Sequence, residues 1–392
     1  MFRRRLWAAL VAVVAATVSL VAVTPAPATA VSQFMKLYQE PGDYEARFPD
    51  ILKLNDGRLM AVWHRAKSHQ DDPGTVQLSY GTQSGSTWSW SAPVPALGHP
   101  SLMAGKDMRD PKLGKMNDGA VVMTFFVPGE GVYSSVWKPA WTRFDDPEKL
   151  VVSGIPGSAL AQHGGVLALP DRDGLVNQVL IPVYNSTGAW FVRATWRPVT
   201  APRLLAAGAF QLVANSPAAD GFTNTYTEPS FVLIDNTVVT VVRHELTKVT
   251  STGNVSNGAP AKVLKWNPYT FTGADGDYTR QDFPVWASSH HLLVTAEKKV
   301  LFTFGDKAVT ARPTQGIMID APLAAWPVSG LQKVMIYNSG HGDQENPSSV
   351  EVSNGRFFTL AYNAKEKSTV EGGGKSPNGG SLWVMQSYAS EY

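Results

Sequence analysis

Six segments of the chain share one pattern: an apolar stretch, a polar turn, then a run of β-branched and aromatic residues. The first runs from Phe48 to a turn at Asp56-Gly57 and continues from Arg58 to Trp63. The second runs from Pro111 to Asp118-Gly119, then from Ala120 to Phe126. The third spans Gly165 to Asp173-Gly174, with Val179 to Tyr184 after it. The fourth is Pro229 to Asp235-Asn236 and Val238 to Arg243; the fifth is His291 to Lys299 and Val300 to Phe304. The sixth is Pro347 to Asn354-Gly355, then Arg356 to Tyr362. Each unit reads as two antiparallel strands joined by a tight turn. The turns fall near 57, 119, 174, 236, 299 and 355, a period of roughly sixty residues. That interval leaves room for two further strands per unit, and four-stranded units repeated radially form a propeller with only short, protected edges. The pattern predicts an all-β fold, a six-bladed β-propeller. Six evenly spaced copies do not suit a single β-sandwich.

The ends carry different signals. Arg3, Arg4 and Arg5 precede an apolar run from Leu6 to Val23; Pro25 and Pro27 then break the chain before Ala28-Thr29-Ala30. This is the layout of a cleaved secretory signal peptide over residues 1–30, leaving 31–392 as one propeller domain of an extracellular protein. No later stretch is long and apolar enough to span a bilayer. A Gly-, Ser- and Lys-rich stretch at 365–380 reads as a surface loop before the last strand, Leu382 to Met385, which is expected to close the ring against the N-terminal segment.

Charge and composition narrow the function. The formal charge of +2 falls to −1 once the three leader arginines are removed. Such a near-neutral, interspersed surface gives no reason to expect nucleic acid or an anionic membrane as partner. The chain has no Cys, which excludes disulfides, thiolate metal sites and a Cys nucleophile. Neither a phosphate-binding Gly-rich loop nor a Ser nucleophile elbow occurs. No His or carboxylate spacing indicates a metal, no cofactor is implied, and the chain is expected to act as a monomer.

In a propeller, residues at the ends of the innermost strands converge on one face around the central channel. The polar residues opening each motif are therefore the candidates. They are Arg47 in the first unit, then Asp107, Arg109 and Asp110 in the second. Glu228 and Arg243 bracket the fourth, Ser288 to His291 open the fifth with Lys307 and Arg312 after it, and Asp343, Glu345 and Asn346 open the sixth. Arginines and carboxylates brought to one face suit recognition of an acidic or polyhydroxylated ligand, although an ion-pair ring around the channel is the competing structural reading.

With those residues in view, the chain resembles the sialidase superfamily over residues 40–365. Arg47-Phe48-Pro49 resembles the family's Arg-x-Pro signature, and Gly81 to Trp88 resembles a degenerate Asp-box with Gln83 in place of the Asp. Arg109-Asp110-Pro111, Glu228-Pro229-Ser230 and Pro347-Ser348-Ser349 match its recurring blade openings. The resemblance implies that Arg47, Arg243 and Arg312 clamp a sugar carboxylate, with Lys307 an alternative to Arg312. It implies Asp71 as the acid/base on a loop, with Asp72 its alternative, and Glu228 as the group that activates the nucleophile. The family's nucleophilic Tyr has no counterpart: Glu345-Asn346-Pro347 stands at its place, and Tyr337 lies nine residues earlier. Glu228 with Asp71 or Glu345 would then form an ordinary carboxylate pair. The expectation is a secreted, exo-acting glycoside hydrolase of sialidase type whose partner is a carbohydrate substrate. Asp71 and Glu228 are its catalytic candidates, and Arg47, Arg109, Asp110, Arg243, His291 and Arg312 its substrate-binding candidates. Two alternatives remain. One is a non-catalytic carbohydrate-binding propeller. The other is another carbohydrate-active propeller, an exo-arabinanase or a polysaccharide lyase using His69, His290 or His291 as acid/base.

Overall fold

The computed structural model describes residues 33–69, 72–172, 174–274, 276–340, 344–364 and 378–392. The expected signal segment, Asp71, Asp343 and most of the 365–380 stretch lie outside the described residues. Six antiparallel sheets of four or five strands follow one another in chain order, giving the six-bladed propeller. The innermost strands are Glu45–Lys53, Arg109–Lys115, Thr223–Ile234, Ala287–Val294 and Ser348–Ser353 in blades 1, 2, 4, 5 and 6. In blade 3 that strand is split into Ala161–Gln162 and Leu167–Ala168. The last strand, Asn378–Tyr388, pairs with the first, Gln33–Pro41, with Met35 opposite Val384. Blade 6 is therefore built from both ends of the described chain. The Asp-box-like segment is the outer hairpin of blade 1, between Thr75–Ser84 and Thr87–Trp90, where Gln83 Nε2 donates to Gly85 O at 2.9 Å.

The six turns stand where the repeat places them. Gly57, Gly119, Gly174 and Gly355 take left-handed φ of 88°, 84°, 79° and 67°, a conformation that only glycine adopts without steric cost. In the fourth and fifth turns Asp235 and Lys298 adopt it with a side chain, at 55° and 62°. The strands that follow read as unbroken apolar runs because each sheet is covered on both faces by its neighbours. Met60, Val62, Met123, Phe125 and Trp137 fill the layer between blades 1 and 2. Val239, Val241, Phe283, Phe302 and Trp326 fill the layer between blades 4 and 5.

Near the axis the blades touch through polar atoms. Asp50 of blade 1 accepts the Leu113 N–H of blade 2 at 2.5 Å and the Ser348 hydroxyl of blade 6. Burial raises its carboxyl above the usual range, against the pull of Lys112 and these donors. At the same level blades 2 and 3 meet backbone to backbone. A β-carbon on Gly114 would lie 2.2 Å from the Val166 carbonyl oxygen, and one on Gly165 would lie 2.2 Å from that of Leu113. Leu113 is held in the ladder opposite Met123, so the inner strand of blade 2 resists moving away. Gly114→Ala is expected to destabilise the fold by about 2–3 kcal/mol, the usual scale for overpacking. A urea midpoint equal to wild type would show that the two inner strands separate more easily than this contact implies.

Candidate active site

The site begins with a recurring backbone irregularity. In blades 1, 2, 4 and 5 the inner strand carries one extra residue against its partner, between Arg47 and Asp50, Arg109 and Lys112, Thr227 and Ser230, and Ser288 and His291. At each of these β-bulges, and just before the inner strand of blade 6, one residue with a side chain takes a left-handed φ. These are Phe48 at 51°, Asp110 at 55°, Glu228 at 53°, Ser289 at 46° and Asn346 at 71°. Proline follows four of the five, which suits a bulge where the next N–H has no ladder partner. The bulge re-aims the side chain. All five residues line one cavity of about 230 Å³ at the mouth of the channel.

The second strands supply the rest. The residues paired with the last regular position before each bulge are His64, Phe126, Arg243 and Gly305, and in blade 3 Tyr184 stands opposite Ala161. Phe126, Tyr184 and Arg243 line the cavity, together with Arg109, Arg312, Glu345 and His69. All six blades thus contribute to one pocket.

Its charged groups come in pairs. Glu228 accepts Arg243 Nη1 through Oε1 at 2.6 Å and the Ser289 N–H through Oε2 at 2.9 Å, so both oxygens are engaged. Arg243 also donates to Glu245 at 2.8 Å, and Lys307 is bonded to the same oxygen. Burial opposes the Arg243 charge, but Glu228, Glu245 and Glu345 outweigh it and raise its pKa. Burial likewise opposes the Glu245 charge, yet Arg243 and Lys307 hold its carboxyl down at about 2. Arg312 Nη1 donates to Glu345 Oε1 at 2.8 Å. Glu345 Oε2 is buried without a hydrogen-bond partner among the described residues, as is Asn346 Oδ1. Glu345 has room because the facing position of blade 5 is Gly305, where a β-carbon would lie 2.6 Å from Glu345 Cβ.

On the other wall, Asp107 accepts Arg109 Nε at 3.0 Å and the buried His64 Nε2–H at 2.8 Å. Asp110 pairs with Lys112 at 3.0 Å and with His163 Nδ1 at 3.0 Å, which keeps its carboxyl low despite burial. The Tyr184 hydroxyl makes no hydrogen bond among the described residues. Burial first, then the charges of Glu228 and Asp110, push its phenol up, so the hydroxyl stays protonated as a donor into the cavity.

Of the catalytic and substrate-binding candidates, Glu228, Arg109, Asp110, Arg243 and Arg312 share the cavity, and Ser289, Glu345 and Asn346 from the blade openings join them with His69. Arg47 does not line it. Its guanidinium is buried against Glu45 and donates to His69 Nδ1 at 3.0 Å, so it acts on the cavity through His69. His291 lies past its bulge, in a separate channel cavity of about 260 Å³ with Lys112, His163 and His290. Asp71 lies outside the described residues, two positions beyond His69. Tyr184 was not singled out from the sequence, although it ends the third repeat at the level where Arg243 ends the fourth; aligning the ends of the second strands would have found it. Among the described residues no group of three or more His, Asp or Glu is arranged to hold a metal.

No family sequence model and no curated protein sequence matches the chain. Its fold is similar to that of a protein of unknown function from Dyadobacter fermentans, with 15% identity and a TM-score of 0.64 over 92% of this chain and 100% of that one. It is also similar to an α-L-arabinanase of Penicillium chrysogenum solved with arabinobiose, at 13% identity and TM-score 0.53 over 90% and 97%. A third likeness is to the NanB sialidase of Streptococcus pneumoniae, at 9% identity and TM-score 0.57 over 91% and 71%. At these identities the likeness establishes the shared six-bladed architecture.

The channel histidine makes the fold sensitive to acid. His291 accepts the Ser349 N–H on Nδ1 at 3.2 Å, and the surface it keeps accessible faces the channel cavity. Burial, then Lys112 and His163, lower its pKa from 6.5 to about 3. The unfolded chain therefore takes up a proton below 6.5 that the folded one refuses until about 3. The associated stability is complete above that upper value and declines by about 1.4 kcal/mol per pH unit on the way down. His291→Gln is expected to make the loss of stability between pH 6 and pH 4 shallower by close to one proton in urea titrations. An unchanged slope would mean that His291 is protonated in the folded channel.

Proposed function

We propose that this chain is a secreted, exo-acting glycoside hydrolase that removes a neutral terminal sugar from a polysaccharide or glycoconjugate. The observation that carries this reading is the placement of Glu228 and Glu345 on one cavity in unlike surroundings. Both oxygens of Glu228 are engaged as acceptors, whereas Glu345 keeps a buried oxygen without a donor beside it. That asymmetry suits a paired-carboxylate mechanism. Glu345 gives a proton to the glycosidic oxygen as its C–O bond breaks, Glu228 stabilises the positive charge developing on the sugar, and water forms the new C–O bond at that carbon as it passes its proton to Glu228. The Tyr184 hydroxyl is placed to donate a hydrogen bond to the sugar. A pocket floored by the bulge residues accepts a chain end rather than an internal segment, which supports exo action.

The pairing of charges favours a neutral sugar over a sialic acid. The two part-buried lining arginines already have ionised carboxylate partners: Arg109 has Asp107, and Arg243 has Glu228 and Glu245. A sugar carboxylate entering here would leave a protein carboxylate buried and unpaired, which costs several kcal/mol. Mixed donors and acceptors instead match hydroxyl groups. The leader at 1–30 supports export, where such a substrate is met.

Release of 4-methylumbelliferone from α-L-arabinofuranoside, galactoside, glucoside, xyloside and sialoside substrates tests the reading. Turnover of a neutral glycoside is expected, with Glu228→Gln and Glu345→Gln each lowering kcat/KM by about a thousandfold. Preference for the sialoside would overturn the neutral-sugar reading. If Asp71→Asn rather than Glu345→Gln abolishes turnover and is rescued by azide, the acid is Asp71. Glycan binding without turnover of any member would make the chain a carbohydrate-binding propeller.

A further inference from the structure

Blade 4 is built taller than its neighbours. Its second and third strands, Thr237–Thr250 and Gly253–Trp266, run fourteen residues each, against eight for the second strand Gln178–Asn185 of blade 3 and seven for Val300–Asp306 of blade 5. Arg243 stands at the level of the pocket, so the rest of that hairpin rises about 20 Å above it. Strand alternation puts Glu245 and Thr247 on the same face as Arg243. Cross-strand pairing adds Thr225 and Gly258 opposite Glu245, and Ser256 opposite Thr247. The result is a wall beside the pocket mouth that carries hydroxyl groups, with Thr225 and Thr247 bonded to each other at 2.6 Å.

Trp286 stands against that wall. It lies three residues before Ser289, on the pocket side of blade 5, and keeps 41% of its surface exposed. One exposed apolar side chain needs no explanation by itself; what distinguishes Trp286 is how it is held. A β-carbon on Gly258 would lie 3.1 Å from both Cβ and Cε3 of the indole, so the glycine is a seat shaped to it. The Trp286 carbonyl accepts the Lys307 N–H at 2.9 Å, and the Lys307 ammonium is bonded to Glu245, which holds Arg243. The ring is thus fixed relative to Glu228 by a short chain of bonded groups, with its apolar surface open at the rim.

We propose that Trp286 and the blade 4 wall form a binding site for a second sugar residue, the one attached on the leaving-group side of the sugar in the pocket. This rests on the hydrolase reading for its orientation. A rigid indole covers the C–H face of a pyranose or furanose ring, and the Thr and Ser hydroxyls beside it serve the ring's own hydroxyls. The site selects a saccharide over a small alcohol as leaving group.

The test uses Glu228→Gln protein, which holds ligand without turning it over, and calorimetric titration with arabinobiose, xylobiose, cellobiose and lactose beside the methyl glycosides of their terminal sugars. Adding Trp286→Ala is expected to weaken binding of the recognised disaccharide about tenfold. The methyl glycoside should change less than twofold, and Trp286→Tyr should restore part of the loss. Equal weakening of both ligands, no weakening of either, or no disaccharide binding by any member overturns the subsite. Hydrolysis of a disaccharide by wild type with binding indifferent to Trp286 would leave the hydrolase standing and remove the subsite. Disaccharide binding that depends on Trp286, without turnover by wild type, would do the reverse.

Discussion

Five left-handed residues near the axis hold this molecule's chemistry in place. Phe48, Asp110, Glu228, Ser289 and Asn346 each carry a side chain in a backbone region that costs about 1–2 kcal/mol outside glycine. In blades 1, 2, 4 and 5 the cost is met because the extra residue of the bulge does two things at once. It shifts the register so that the strand beyond it packs into the apolar layers between blades. It also swings one side chain out of the sheet and into the shared cavity. Without its bulge, each of these four strands would keep that side chain in the alternation of the sheet.

The second constraint is electrostatic. Groups as buried as Arg243, Glu245 and Asp110 are tolerable only in company, because an unpaired charge at this depth is far more costly than a paired one. The network running from Lys307 through Glu245 and Arg243 to Glu228 satisfies this requirement and also fixes a carboxylate in one orientation. Stability and positioning come from the same bonds. The place where the network is left open, Glu345 Oε2 beside Asn346 Oδ1, lies on the cavity, where a ligand or water can complete it.

The same logic separates residues that looked alike in sequence. Arg47 and Arg243 both flank a blade opening, but Arg47 is turned against Glu45 behind Phe48, whereas Arg243 looks into the pocket. Ser289 and His291 are two positions apart, yet the bulge between them sends one to the pocket and the other to the channel cavity. A shift of one residue reverses the side of a strand.

The chain by itself determined the number of blades, the positions of their turns and the apolar runs that fill the layers between them. These depend on alternation, turn chemistry and repetition, all of which are local. It also marked the blade openings as the source of the polar groups. Only the folded ring decided which of those groups meet. Tyr184 enters the pocket through the ring's curvature, and Glu345 finds space because Gly305 faces it from another blade. Trp286 gains its seat from Gly258 in the same way. Each of these contacts joins residues from different blades, so its geometry exists only once the circle is closed.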